Sequence, residues 1–139
     1  MTIQQTVPLA GRLLKIAPAV IAGKGRGVVA QAPIRAGELI DEACTVQLEN
    51  AHCDAIEKTP LDDHYFAHPA DDTAGLLVLG LPSLCNHDDD PNAGTSYRHQ
   101  DELGWIVVLT ALRDIRPGEE ITRRYACPIW FNPQAKLAD

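Results

Sequence analysis

The apolar positions of this chain fall in short runs broken by turn residues, and that pattern predicts strands far more than helices. Leu13-Leu14-Lys15-Ile16 reads as a short, partly buried strand, and 18–21 continue extended into a glycine turn. Val28-Val29-Ala30 follows as a second strand. Pro33, Ile34 and Gly37 mark a strand–turn–strand pattern, with strand candidates at 38–43 and 44–48. Only residues 49–58 have helix composition, and Pro60 is expected to end that helix. A polar stretch at 61–73 precedes an apolar strand, Gly75-Leu76-Leu77-Val78-Leu79. Residues 95–98 and 105–109, either side of a polar turn at 99–104, predict a β-hairpin. Pro-Ile-Arg-Ala-Gly-Glu at 33–38 and Asp-Ile-Arg-Pro-Gly-Glu at 114–119 look alike and predict two similar turns, not a duplicated repeat. Many short strands at turn-rich spacing make the expected fold mainly β.

Composition narrows the picture modestly. A chain of 139 residues, 45% of them hydrophobic, suits one domain with its own core, expected over about 11–126 with a tail at 127–139. The net charge of −7 weighs against a nucleic-acid partner, which recruits clustered Lys and Arg, and is compatible with a basic protein segment as partner. It serves solubility equally well. Cys44, Cys53, Cys85 and Cys127 are scattered without a close-set pair, so free thiols are expected. No charged apolar leader opens the chain and no run approaches a membrane span, so the expectation is a soluble, cytoplasmic protein without membrane contact.

The chemistry-bearing residues are concentrated in a few places. Gly23, Gly25 and Gly27 alternate with Lys24 and Arg26, a pattern that permits positive φ and close approach to the main chain. A dinucleotide-binding loop would open a helix here, whereas Val28-Val29-Ala30 reads as a strand. By itself the loop reads better as a tight hairpin without a ligand. Asn86 and His87 sit at the seam between an apolar strand and the acidic turn Asp88-Asp89-Asp90-Pro91. His52, Cys53, His64 and His68 could be imagined as a zinc site, but Pro60 and the Asp pairs disfavour the helix that would align them. Cys85 with His87 suggests a thiol nucleophile, yet two residues apart along a strand rarely puts thiol and base in contact.

Leu84-Cys85-Asn86-His87-Asp88-Asp89-Asp90-Pro91-Asn92 resembles the Asn-His-x-x-x-Pro-Asn signature of the SET-domain protein-lysine methyltransferases. Two further blocks match that family in the right order: Gly23-Lys24-Gly25-Arg26-Gly27-Val28-Val29-Ala30, and the stretch 111–125 ending Ile121-Thr122-Arg123-Arg124-Tyr125. Together the blocks cover roughly residues 20–126. The resemblance implies small curved sheets of β-clip type, one or two short helices, and a C-terminal pseudoknot that brings Asn86 and His87 next to Tyr125. It implies S-adenosylmethionine as cofactor, contacted by Lys24, Gly25, Arg26, Gly27, Asn86, His87 and Tyr125, and methyl transfer to a lysine amine of a protein substrate in a narrow channel.

Tyr125 matches the family's catalytic tyrosine, and Tyr65, Arg123, Trp130 and Phe131 are the candidates for the channel wall. No metal and no covalent enzyme intermediate are expected. Two departures stand out. Arg123-Arg124-Tyr125 replaces the Phe-Asp-Tyr or Tyr-x-Tyr of many members, at a place that often tunes how many methyl groups are added. Cys127 stands alone where many eukaryotic members carry a Cys-x-Cys zinc cluster. Arg123 and Arg124 also motivate an alternative, a SET-like module that binds cofactor or basic tails without catalysis.

Overall fold

The structure, a computed structural model, describes residues 15–125. Trp130, Phe131, Cys127 and the rest of the expected tail lie outside the described residues, as do Leu13 and Leu14 of the first expected strand. That strand, β1, runs Ile16–Ile21 and pairs antiparallel with β2, Gly25–Ala30. The hairpin turns at the glycine loop, where Gly23 and Gly25 take φ of 79° and 85°.

β3 is one strand, Leu39–Leu48, where two were expected; nothing in Ala43-Cys44-Thr45 breaks it, and its irregularity is a register shift between Leu39 and Asp41. Helix α1 is Asn50–Ile56, entered through a capping box in which the Glu49 N–H donates to His52 Nδ1. Pro60 follows the helix and opens a 3₁₀ turn, Pro60–His64, using the missing N–H at a position that needs none. The polar insert then contains a strand, β4, Tyr65–Ala67. β5, Gly75–Leu79, matches the expected apolar strand; after a 3₁₀ turn at Leu81–Leu84 comes the two-residue β6, Asn86–His87. β7, Ala93–Gln100, and β8, Gly104–Ala111, form the expected hairpin, and β9 is Thr122–Arg123.

Five strands make one antiparallel sheet in the order β4-β5-β3-β8-β7, while β6 and β9 pair parallel, Asn86 opposite Thr122 and His87 opposite Arg123. The main core gathers Ile16, Val28, Ile34, Ile40, Cys85, Leu109, Ile115 and Ile121 between the hairpin, the sheet and the last segment. A smaller cluster, Ala43, Phe66, Val78 and Val107, lies on the sheet under Tyr97.

Non-local pairing closes the fold. Residues 28–30 run beside 118–121: the Gly118 N–H donates to Ala30 O, the Ala30 N–H to Glu119 O and the Ile121 N–H to Val28 O, at 2.7–2.9 Å. From the other side, the loop 86–92 clasps 120–125. The Asp88 N–H donates to Arg123 O at 3.1 Å. Asn92, 3% exposed, accepts from the Thr122 N–H at 2.9 Å and donates from Nδ2 to Glu120 O at 2.8 Å. This clasp is the pseudoknot of the expected fold.

Candidate functional site

The clasp brings the three sequence blocks into one place. Gly27 belongs there because nothing larger fits: a Cβ would lie 2.5 Å from Ile21 Cγ1, 2.9 Å from Asn86 Nδ2 and 3.0 Å from Glu120 Oε2. The bare backbone lets the Asn86 amide reach over it. Asn86 Nδ2 donates to Arg26 O at 3.1 Å and to Glu120 Oε2 at 2.6 Å. Glu120 Oε1 in turn accepts from Lys24 Nζ at 2.8 Å.

Glu120 therefore ties the glycine loop to β6, and reading the sequence alone missed it. A signal was present in the pair Glu119-Glu120. In extended chain, successive side chains point to opposite sides, so if one acid serves the turn the other must face elsewhere. Glu119 does serve the turn, accepting from the Arg116 N–H at 2.8 Å, and Glu120 faces the site.

His87 is held by both ring nitrogens. Nδ1 accepts from the Tyr125 N–H at 3.1 Å, which leaves the ring hydrogen of the neutral tautomer on Nε2, 2.9 Å from Asp89 Oδ1. Its ring meets Tyr125 edge-on, centroids 5.1 Å apart. The Tyr125 hydroxyl donates to Cys85 O across 3.4 Å.

Arg123, one strand position from Thr122 and two before Tyr125, is 5% exposed. Its guanidinium lies 3.6 Å from the centroid of the Phe66 ring and 4.6 Å from that of Tyr125, a stacked geometry that offsets part of the cost of burying a cation.

Tyr65 stands apart from this group. Its hydroxyl donates to Glu57 Oε2 at 2.7 Å and its ring covers Gly75, where a Cβ would be 2.7 Å from Tyr65 Cδ2. Burial, then the hydrogen bond to Glu57, holds its phenol far above the ordinary range. Alternation along β4 turns the neighbouring Phe66 the other way, so Phe66 is the aromatic that meets Arg123. Tyr65, a channel candidate from sequence, here packs over Gly75 and bonds Glu57.

Cys85 is no nucleophile. It is 1% exposed, burial pushes its thiol up to about 12 against a smaller downward pull from Arg123, and both nitrogens of His87 are engaged elsewhere. The imagined zinc ligands do not come together: among the described residues no group of three or more His, Cys, Asp or Glu could hold a metal ion, and His52 caps α1 while His64 Nδ1 lies 3.1 Å from Ser83 O and His68 Nδ1 accepts from the Ala70 N–H.

A pocket of 270 Å³ opens over the assembly. Lys24, Arg26, Asn86 and Tyr125 line it, with Asp63, His64, Ser83 and Leu84 opposite. It continues past Arg26, His64, Ser83 and Leu84 into a more apolar hollow walled by Leu61, Leu77 and Leu79. Of the seven residues expected to hold the cofactor, four line the pocket; Gly25 turns the loop between Lys24 and Arg26, Gly27 lies beneath Asn86 and His87 is fastened to Tyr125.

Lys24 and Arg26 of the glycine loop, Asn86 and Tyr125 thus meet at one polar pocket in a clasped, mainly β fold. The SET domain family model matches residues 25–126, and the chain belongs to that family. It is 30% identical over 115 residues, 83% of this chain and 76% of the relative, to a histone-lysine N-methyltransferase specific for H3 lysine 37 from Schizosaccharomyces pombe. Among solved structures it resembles a candidate histone methyltransferase from Plasmodium falciparum, with TM-score 0.65, 27% identity, 84% of this chain covered and 96% of the other. It shares its fold with the Chaetomium thermophilum Polycomb repressive complex 2 bound to S-adenosylmethionine, with TM-score 0.65, 19% identity, 80% of this chain covered and 15% of the other.

Proposed function

We propose that this chain methylates a lysine side chain of a protein, with S-adenosylmethionine as methyl donor. The observation that carries the reading is the convergence of Lys24, Arg26, Asn86 and Tyr125 on one pocket, from segments about 100 residues apart along the chain. The donor set fits the cofactor. Lys24 and Arg26 suit its carboxylate; Asn86, both amide hydrogens already committed, turns Oδ1 outward as an acceptor for its ammonium; the hollow beyond Leu84 offers an apolar wall for a base. When bound, S-adenosylmethionine supplies an electrophilic methyl group on a sulfonium.

The chain's own residues do the rest. Tyr125 is fastened at its backbone by His87 and at its hydroxyl by Cys85 O, so its phenol is pre-positioned to orient an incoming amine. That amine must be neutral to have a lone pair, although a free lysine ionises near about 10.4. The Arg123 guanidinium packs against the Tyr125 ring and holds the phenol in that place.

Among the described residues β4 pairs only with β5, leaving an outer edge to receive an extended substrate segment, with Phe66 leading inward to Arg123. The acidic turn at Asp88, Asp89 and Asp90 suits a basic segment around the acceptor lysine. The thiols of Cys44, Cys53 and Cys85, all free, suit a reducing compartment, and we place the protein in the cytoplasm.

The test is incubation of the protein and of Tyr125→Phe with a cell extract and S-adenosylmethionine labelled at the methyl group. Loss of an orienting hydroxyl is expected to lower labelling of protein lysine by about a hundredfold or more, with an unchanged thermal melt. Equal labelling by both proteins would remove Tyr125 from the reaction. Cofactor binding with no labelled protein would favour a binding module.

A further inference from the structure

We infer that Glu120 is the positioning residue that makes this pocket recognise an α-amino-acid group, an inference that rests on the function proposed above. Its two carboxylate oxygens are divided between two different segments: Oε1 accepts from Lys24 Nζ at 2.8 Å and Oε2 accepts from Asn86 Nδ2 at 2.6 Å. The side chain of Glu120 is 16% exposed and that of Lys24 42%, so the carboxylate is largely covered while the ammonium it holds stays open to a ligand.

Its effect on Asn86 is directional. An amide can present either its oxygen or its NH2 to a ligand. Here both neighbours of the NH2, Arg26 O and the Glu120 carboxylate, can only accept. The amide cannot flip without setting an oxygen against two acceptors, so Oδ1 is turned outward permanently. The same carboxylate holds the Lys24 ammonium near the pocket mouth, where two of its three hydrogens remain for a ligand. A fixed acceptor beside a fixed cation is complementary to an ammonium and a carboxylate on one carbon. Glu120 touches neither; it acts through Asn86 and Lys24.

The inference is tested by calorimetric titration of the full chain with two probes, S-adenosylhomocysteine and 5′-methylthioadenosine, which share the nucleoside and differ in the amino-acid end. Glu120→Gln has one acceptor oxygen where two are needed, so it must set a donor against either Lys24 or Asn86. Its affinity for S-adenosylhomocysteine is expected to fall about ten- to a hundredfold, the range for hydrogen bonds to charged groups, while its affinity for methylthioadenosine stays within a factor of two or so of wild type. Glu120→Asp, which keeps the charge but withdraws it by one methylene, serves if the glutamine variant does not fold and is expected to show the same split. Equal losses for both probes would make Glu120 merely structural and overturn the inference, as would no loss for either. A wild-type protein that binds neither probe would overturn the proposed function and the inference with it.

Discussion

Asn92 shows how much of this structure one side chain can hold. It bonds the two strands of the clasp at both ends of its amide: Oδ1 takes the Thr122 N–H and Nδ2 gives to Glu120 O, while its own N–H and C=O reach Thr122 Oγ1 and the Leu112 N–H. Truncation to alanine strands a buried donor and a buried acceptor, each costing about 1–3 kcal/mol. We expect Asn92→Ala to lose about 2–4 kcal/mol of stability, read as a lower urea midpoint with an unchanged slope. A midpoint within error of wild type would mean that water replaces both partners and that the clasp is looser than drawn. The sequence motif marks Asn92 as part of a signature and as a turn stop. It cannot say that the side chain grips a segment 30 residues away, because a hydrogen bond to another segment leaves no trace in the local pattern.

At the scale of elements, the two look-alike turns turn out to be partners. Ile34 and Ile115 exchange both backbone hydrogen bonds, at 2.9 and 2.8 Å. Each turn then repeats the same steps: Gly37 and Gly118 take φ of 84° and 88°, and the Glu38 and Glu119 N–H groups donate back to Arg35 O and Arg116 O. The Glu side chains accept from the Arg35 and Arg116 N–H groups. Positive φ at the third turn position needs glycine, which is why the sequences agree. Their similarity is legible in the chain; their mutual pairing is tertiary and is not.

Both turn acids are held below the ordinary carboxylate value of 4.5, Glu38 first by its bond from Lys15 and Glu119 first by the Arg116 N–H. A folded value below the unfolded one gives stability that is present above about 4.5 and is lost as pH falls through the lower folded values. The urea midpoint should therefore hold level on the neutral side and decline below that pH. Glu119→Gln, whose amide oxygen still accepts from Arg116, should decline less steeply; an identical decline would exclude Glu119 as a source. Because both side chains are still about a third open to solvent, screening keeps their share small.

For the whole molecule, the glycine loop, the Asn-His pair and Tyr125 are readable because each is a local pattern, while strand phase and contacts between distant segments are not. A three-residue strand such as β4 carries no internal evidence of whether Tyr65 or Phe66 faces Arg123. Glu120 was passed over because its two partners lie 96 and 34 residues away.

The clasp has a built-in reporter in Cys85, whose carbonyl meets the Tyr125 hydroxyl and whose thiol sits in the main core. Burial both hides this thiol and raises it to about 12, so alkylation needs the clasp to open; Cys44 is only half-buried and needs no opening. The raised value also means that its share of stability is present below the ordinary thiol value of 9.0 and is lost as pH climbs towards 12. With iodoacetamide at pH 8, mass spectrometry should show Cys44 modified directly. Cys85 should be modified slowly, and faster in urea. Asn92→Ala should speed the Cys85 reaction, about tenfold for each 1.4 kcal/mol of stability that the substitution removes, and leave that of Cys44 unchanged. Should Cys85 react as fast as Cys44, or ignore that substitution, the clasp would not be the element that shuts the core.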